Sequence, residues 1–202
     1  MVKINQNQAQ YITYGQMNLI NDFRKLWTDV VIWLRSHMVS TITGFSNIET
    51  IHRRIEQIPA DMAQRLQQFL GVESAERFQS LLSMYLNNAQ ILVDAMNNND
   101  QELVNRTVVQ LYRNADTMAD FLASINPYWS KAQWQNLFHQ LTDMGISEVV
   151  AMFSGEYDRE IDIRERLLRL ALVLGDYMAQ GVMHFLDPGL FQEYPDSNVF
   201  PD

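Results

Sequence analysis

Apolar residues return every three or four positions along most of the chain. Phe78, Leu82, Tyr85, Ala89, Leu92 and Met96 form one such stripe. Val104, Val108, Leu111, Ala115, Met118, Leu122 and Ile125 form a second, and Ile163, Leu167, Leu170, Leu174, Tyr177, Gly181 and His184 a third. This spacing comes back to the same face of an α-helix at each turn, and helices that carry it pack at shallow crossing angles. Near the start two stripes run side by side: Leu19, Phe23, Leu26, Val30, Trp33 and His37 next to Trp27, Val31, Leu34 and Met38. A helix apolar over so much of its circumference belongs at the centre of a bundle. No stretch alternates apolar and polar residues for long enough to make a strand. The pattern predicts an all-α protein, a helical bundle of about six helices.

The breaks between stripes carry their own signals. Gly44 with Ser46 and Asn47 ends the first helix, and Glu49 falls in the first turn of the next. Pro59 after Ile58 predicts a break, because the residue before a proline is pushed out of helical geometry. Gly71 closes that segment, and Ser74 is the expected cap of the one after. Asn97 to Asp100 reads as a polar turn ending in a capping residue. Asn126-Pro127 ends the helix that begins near Gln101, and Ser130 is placed to cap its successor. After Leu186 the periodicity stops, and LDPGLFQEYPDSNVFPD is acidic, aromatic and proline-bearing. The expected organisation is a flexible start over residues 1–14, one bundle domain over 15–186 and an extended tail over 187–202.

A weak internal repeat runs through the helices. Asp61 in PADMA, Asp116 in NADTMA and Asp176 in LGDYMA recur at near-equal intervals. Upstream of each, the segments starting at Leu26, Leu82 and Leu137 can be laid over one another so that Val30, Tyr85 and Gln140 correspond. Three degenerate helical hairpins are expected, over roughly residues 26–70, 81–125 and 136–185.

The stretch YRNADTMADFLASINPYWS, together with Leu26-Trp27 and Trp33-Leu34-Arg35, resembles an uncharacterised family of bacterial helical proteins. The likeness covers about Leu26 to Gly181, and the family pattern is close to W-Y-x-N-A-D followed by F-L-A-S-I-N-P-Y-W-S. It implies a shared helical fold and no particular activity. In that family a histidine commonly stands where this chain has Val30, Tyr85 and Gln140. Those imidazoles are missing here, and with them the nitrogen half of a nitrogen–oxygen metal site.

Composition narrows the function classes. Apolar residues make up 47% of 202, enough to fill a sizeable core. With 24 acidic residues against 15 basic, the net charge of −9 argues against a nucleic-acid partner, which needs clustered cationic residues. The densest basic spots, Arg53-Arg54 and Arg164 to Arg169, are interleaved with glutamates. There is no cysteine, so thiolate ligands and disulfides are excluded. The start, MVKINQNQAQYITYG, has no apolar stretch of the signal-peptide kind, and no apolar run is long enough to span a bilayer. A cytoplasmic location without membrane contact is expected.

No catalytic constellation, phosphate-cradling glycine loop or nucleophile elbow is visible, and no metal or cofactor is expected. The histidines at 37, 52, 139 and 184 share no ligand spacing and read as surface or singly hydrogen-bonded groups. Asp158, Glu160 and Asp162 read as a solvated face near a helix start, and Tyr128, Trp129 and Trp134 as a plug at one end of the bundle. Asp61 stands just after Pro59, where a carboxylate suits a helix N-terminus. Asp116 and Asp176 sit mid-helix beside core positions, where a carboxylate needs a partner. Arg35 and Arg113 are the expected partners, with Asn114 completing a network that sets helix register. The leading functional expectation is a non-enzymatic bundle acting through protein–protein contacts, with another copy of itself as partner. The alternative is a small-ligand- or metal-binding bundle with a polar core site from Asp61, Asp116, Asp176, Tyr85, Gln140, Asn114, Arg35 and Arg113, its ligand unidentified.

Overall fold

The computed structural model describes residues 12–187. The expected tail from 188 onward and the start before residue 12 lie outside the described residues. Six helices follow in order: α1 (Tyr14–Thr43), α2 (Ile48–Leu70), α3 (Val72–Asn97), α4 (Gln101–Ile125), α5 (Lys131–Phe153) and α6 (Tyr157–Leu186). No strand occurs among the described residues, and no helix there is long and apolar enough to cross a membrane.

Local chemistry explains most of the helix ends. Thr13 and Gln16 form a reciprocal capping box: Thr13 Oγ1 accepts from the Gln16 N–H at 3.2 Å, and Gln16 Oε1 accepts from the Thr13 N–H at 2.8 Å. This starts α1 one residue ahead of the expected boundary. Gly44 then takes a left-handed conformation, φ 69°, which a glycine adopts without steric cost. Asp100 and Ser130 cap α4 and α5 through the N–H groups of Leu103 and Gln133.

Two expected boundaries differ. Pro59 does not break α2, which runs through it. Ile51, Ile55, Ile58, Met62 and Leu66 are all buried on one line that crosses the proline. Burying each contributes about 1.5–3 kcal/mol, together more than the roughly 3 kcal/mol that an interior proline costs. Ser74 does not cap α3; it lies within the helix, whose N-cap is Gly71, a single residue joining α2 to α3 with φ 81°.

Each helix packs on its neighbours in sequence, and α1 closes the ring with α6 in the most extensive contact of the molecule. α1 also touches α3 across the interior, which gives it the central place that its double stripe predicts. The pairs α1/α2, α3/α4 and α5/α6 adjoin, yet α2 packs on α3 at least as closely as on α1. One apolar cluster draws on all six helices, and a smaller one gathers Met38, Val93 and Val149.

The α1–α6 closure depends on a glycine. A Cβ on Gly175 would lie 2.5 Å from the Arg24 backbone nitrogen and 2.6 Å from its Cα, so only glycine permits this approach. The NPYW segment is bolted to α6 in the same way. Buried Asn126 donates to the Gly181 carbonyl at 2.9 Å, Tyr177 Oη accepts from the Ser130 N–H at 2.7 Å, and the Trp129 ring occupies the space a Gly181 side chain would need. Trp129 and Trp134 are buried and Tyr128 is half-exposed.

Candidate functional site: a core cavity and a buried charge cluster

The repeated aspartates do not converge. Asp61 accepts from Arg54 at 3.0 Å, and Arg54 also reaches Asp29 at 3.0 Å. Asp176 is gripped by Arg24. Asp116 accepts from Gln135 Nε2 at 2.7 Å and lies 2.8 Å from His139 Nε2, both on α5. The three thus staple three different parts of the ring. The arginines expected to hold them are elsewhere: Arg113 is exposed on α4, and Arg35 pairs with Glu160. Asn114 accepts from Asn88 at 2.7 Å and does not touch Asp116. Among the described residues, no three His, Asp or Glu side chains come together as metal ligands.

The positions laid over one another at Val30, Tyr85 and Gln140 separate as well. Val30 and Tyr85 line a common cavity, whereas Gln140 is exposed. On α5 the residue facing Tyr85 is Thr142, with the two hydroxyl oxygens 3.0 Å apart. Two residues along a helix turn a side chain through roughly 200°, so this offset moves Gln140 to the outside.

That cavity, about 60 Å³, lies between α1, α3, α4, α5 and α6. Its wall is apolar, formed by Val30, Leu34, Leu92, Leu111, Leu141 and Leu167 among others, with Gly145 leaving room on α5. Among the described residues, only Tyr85, Thr142 and Glu148 bring polar side chains to it. Burial pushes the Tyr85 hydroxyl up to about 12, so it stays protonated.

Glu148 belongs to a cluster of four charged side chains. Arg35 holds Glu160 with two bonds, Nε to Oε1 at 2.6 Å and Nη2 to Oε2 at 3.3 Å, and Glu160 is 2% exposed. Arg164 donates from Nη1 to the Val31 carbonyl at 3.0 Å, and the same nitrogen lies 3.6 Å from Glu148 Oε1, too long for a hydrogen bond. Among the described residues Glu148 Oε1 is therefore buried without a hydrogen bond and faces Arg164 as a longer ion pair. Burial pushes the Glu148 carboxyl up to about 7; the Arg164 and Arg35 charges oppose this, and the Glu160 charge adds to it. Burial likewise pulls Arg164 below the usual arginine range.

A second polar cluster pairs two of the histidines, each with the single hydrogen bond expected of it. His37 is fully buried, and its Nδ1 lies 3.1 Å from His52 Nε2. Its Nε2 lies 3.4 Å from Asp94 Oδ1, within ion-pair range but without hydrogen-bond alignment. His37 stands on the apolar stripe of α1, which signalled its burial; nothing in the spacing signalled the pairing.

Glu148 and Glu160 were hidden in plain view. Stepping the α6 stripe back by three from Ile163 lands on Glu160, and stepping α5 on from Leu141 by four and three lands on Glu148. Glu160 is thus a core residue and not part of a solvated face. A carboxylate at a seam position is the sequence signal for such a group.

Compared with protein-family models, curated proteins and solved structures, the chain matches none.

Proposed function

We propose that the bundle is a ligand-binding protein whose site is the core cavity bounded by Tyr85, Thr142 and Glu148. The observation that carries this reading is the Glu148 carboxyl, which stands with Tyr85 and Thr142 on an otherwise apolar wall. Leaving a buried carboxylate oxygen without a hydrogen bond costs about 1–3 kcal/mol or more, and an apolar side chain of similar volume would avoid that cost. A carboxyl displaced from its ordinary range beside a cavity is the combination that marks a binding site. This reading keeps the polar core site of the sequence-based alternative but moves it from the repeated aspartates to the α5–α6 charge cluster.

The test is a plug. A Cβ on Gly145 meets nothing within 4 Å, so a side chain can start there, and Gly145→Leu places one at the cavity. Native mass spectrometry and a thermal-shift screen against small polar metabolites then compare the two proteins. Ligands that bind the natural chain and are lost in the plugged variant support the site. Binding that persists in a folded Gly145→Leu protein removes it.

Self-association is the second reading. Ile161 and Leu172, both exposed, fall on one line of α6 about three turns apart. A strict monomer by light scattering at micromolar concentration would end it.

A further inference from the structure

The hydrogen-bond directions around the cavity define the chemistry of its ligand. Thr142 has a single hydroxyl hydrogen, and it is donated to the Phe138 carbonyl at 2.9 Å. The contact between Thr142 and Tyr85 at 3.0 Å is then a bond in which Tyr85 donates. Both hydroxyl hydrogens are used, and the Tyr85 oxygen keeps a free lone pair. The Glu148 carboxyl, on the same wall, is the second acceptor group. The other wall residues contribute only hydrocarbon and thioether groups, so the cavity presents acceptors to a ligand and no spare side-chain donor except a protonated Glu148.

Charge points the same way. Arg35 is committed to Glu160 through two bonds, and Arg164 spends its Nη1 donor on the Val31 carbonyl. Glu148 meets Arg164 as a longer, 3.6 Å ion pair, and it is the member of the cluster that lines the cavity. A ligand that fits must bring several N–H donors, a positive charge and a short apolar body.

We infer that the ligand is a short alkylammonium compound, its ammonium group bonded to Glu148 and its hydrocarbon chain lying among the leucines of the cavity. This rests on the cavity being a binding site, and it names the class of molecule that the site takes. An ammonium group supplies N–H donors and a charge, and pairs with the Glu148 carboxylate through a charge-assisted bond. Its binding favours ionised Glu148, so affinity rises with pH across neutrality while the amine, which titrates like lysine, stays charged.

The probes are n-butylamine, n-butanol and butyrate, which share a chain and differ in the head group. Binding to the full-length protein is followed by amide chemical shifts in an NMR titration at several pH values around neutrality. The amine should bind, more tightly as pH rises, while the alcohol binds more weakly and butyrate not at all. Glu148→Gln should weaken the amine at least about tenfold, as a charge-assisted bond becomes a neutral one, and leave the alcohol nearly unchanged. Tyr85→Phe, which removes a hydroxyl and leaves Glu148 in place, should keep the preference for the amine over the alcohol. Circular dichroism on each variant establishes that the helices are intact, and should Glu148→Gln not fold, the pH dependence of the natural protein and Tyr85→Phe decide the matter. Binding of the alcohol or butyrate in preference to the amine, or amine affinity indifferent to pH and to Glu148→Gln, overturns the ammonium assignment and leaves the cavity as a site. Failure of all three probes to perturb cavity residues overturns the ammonium assignment and counts against the cavity itself.

Discussion

Arg24 grips Asp176 across 152 residues of sequence, with Nε to Oδ1 at 2.6 Å and Nη2 to Oδ2 at 2.8 Å. The pair fastens α1 to α6, beside a glycine that lets the two helices approach. Both partners are substantially exposed, and such an ion pair contributes about 0–1 kcal/mol. Gly175, one residue before, is what lets the two backbones meet.

Gly175→Ala is therefore expected to destabilise the protein by about 1–3 kcal/mol, the usual range for an overpacked contact, despite alanine's higher helix propensity. Asp176→Asn should cost no more than about 1 kcal/mol. Urea denaturation of both variants checks the order. The reverse ranking would mean that charge, and not backbone packing, holds the ring closed.

Gly145 should respond in the opposite sense. Its Cβ would meet no atom within 4 Å, and it lies within α5, where glycine costs roughly 0.5–1 kcal/mol relative to alanine. Gly145→Ala is expected to raise the thermal midpoint by a few degrees. A drop would show that the space at Gly145 is already filled.

Leu111 is 3% exposed and faces the cavity. Leu111→Ala should cost about 2–5 kcal/mol by enlarging a void already present. A change within half a kcal/mol, roughly the level of a surface substitution, would mean that this seam does not carry the core.

Asp116 gives a prediction for acid conditions. Burial acts to raise its pKa, but the hydrogen bonds from Gln135 and His139, with the charges of His139 and Lys131, outweigh it and hold the carboxyl below its ordinary value. A depressed folded pKa contributes stability that is present above the unfolded value, near 3.8, and lost as pH falls through the folded one. Asp116→Asn should flatten the acid limb of the stability curve below about pH 4. At neutral pH the loss should stay under about 1 kcal/mol, because the group is nearly half-exposed and screened. An unchanged acid limb would remove Gln135 and His139 as its partners.

Glu148 acts in a different window and with the opposite sign. Its folded pKa, about 7, lies above the ordinary 4.5, so the native state holds a proton that the unfolded chain has released. Stability from this group is full below 4.5 and declines as pH rises to about 7, by an amount on the order of 3 kcal/mol. Glu148→Gln should abolish that decline while leaving the acid limb of Asp116 in place. Chemical denaturation between pH 4 and 8 separates the two, and a decline that survives the substitution would assign it to another group.

Local patterning was enough to settle the elements. Six helices, the central place of α1 and the caps at Asp100 and Ser130 follow from interactions within a turn or two of the chain, where period and side-chain type are sufficient. Tertiary structure alone decided which polar residues meet. Asp116 chooses Gln135 and His139 over Arg35 because α4 lies against α5, and Gln140 turns outward because two residues on a helix are more than half a turn. Pro59 stays helical because burial along α2 exceeds the cost of one lost backbone bond, a comparison that needs the neighbouring helices in place. The setting of the Glu148 carboxyl is the furthest from the sequence. It depends on the rotation of α5 and α6 about their axes, to within a fraction of an ångström at Arg164, and no period in the chain encodes that.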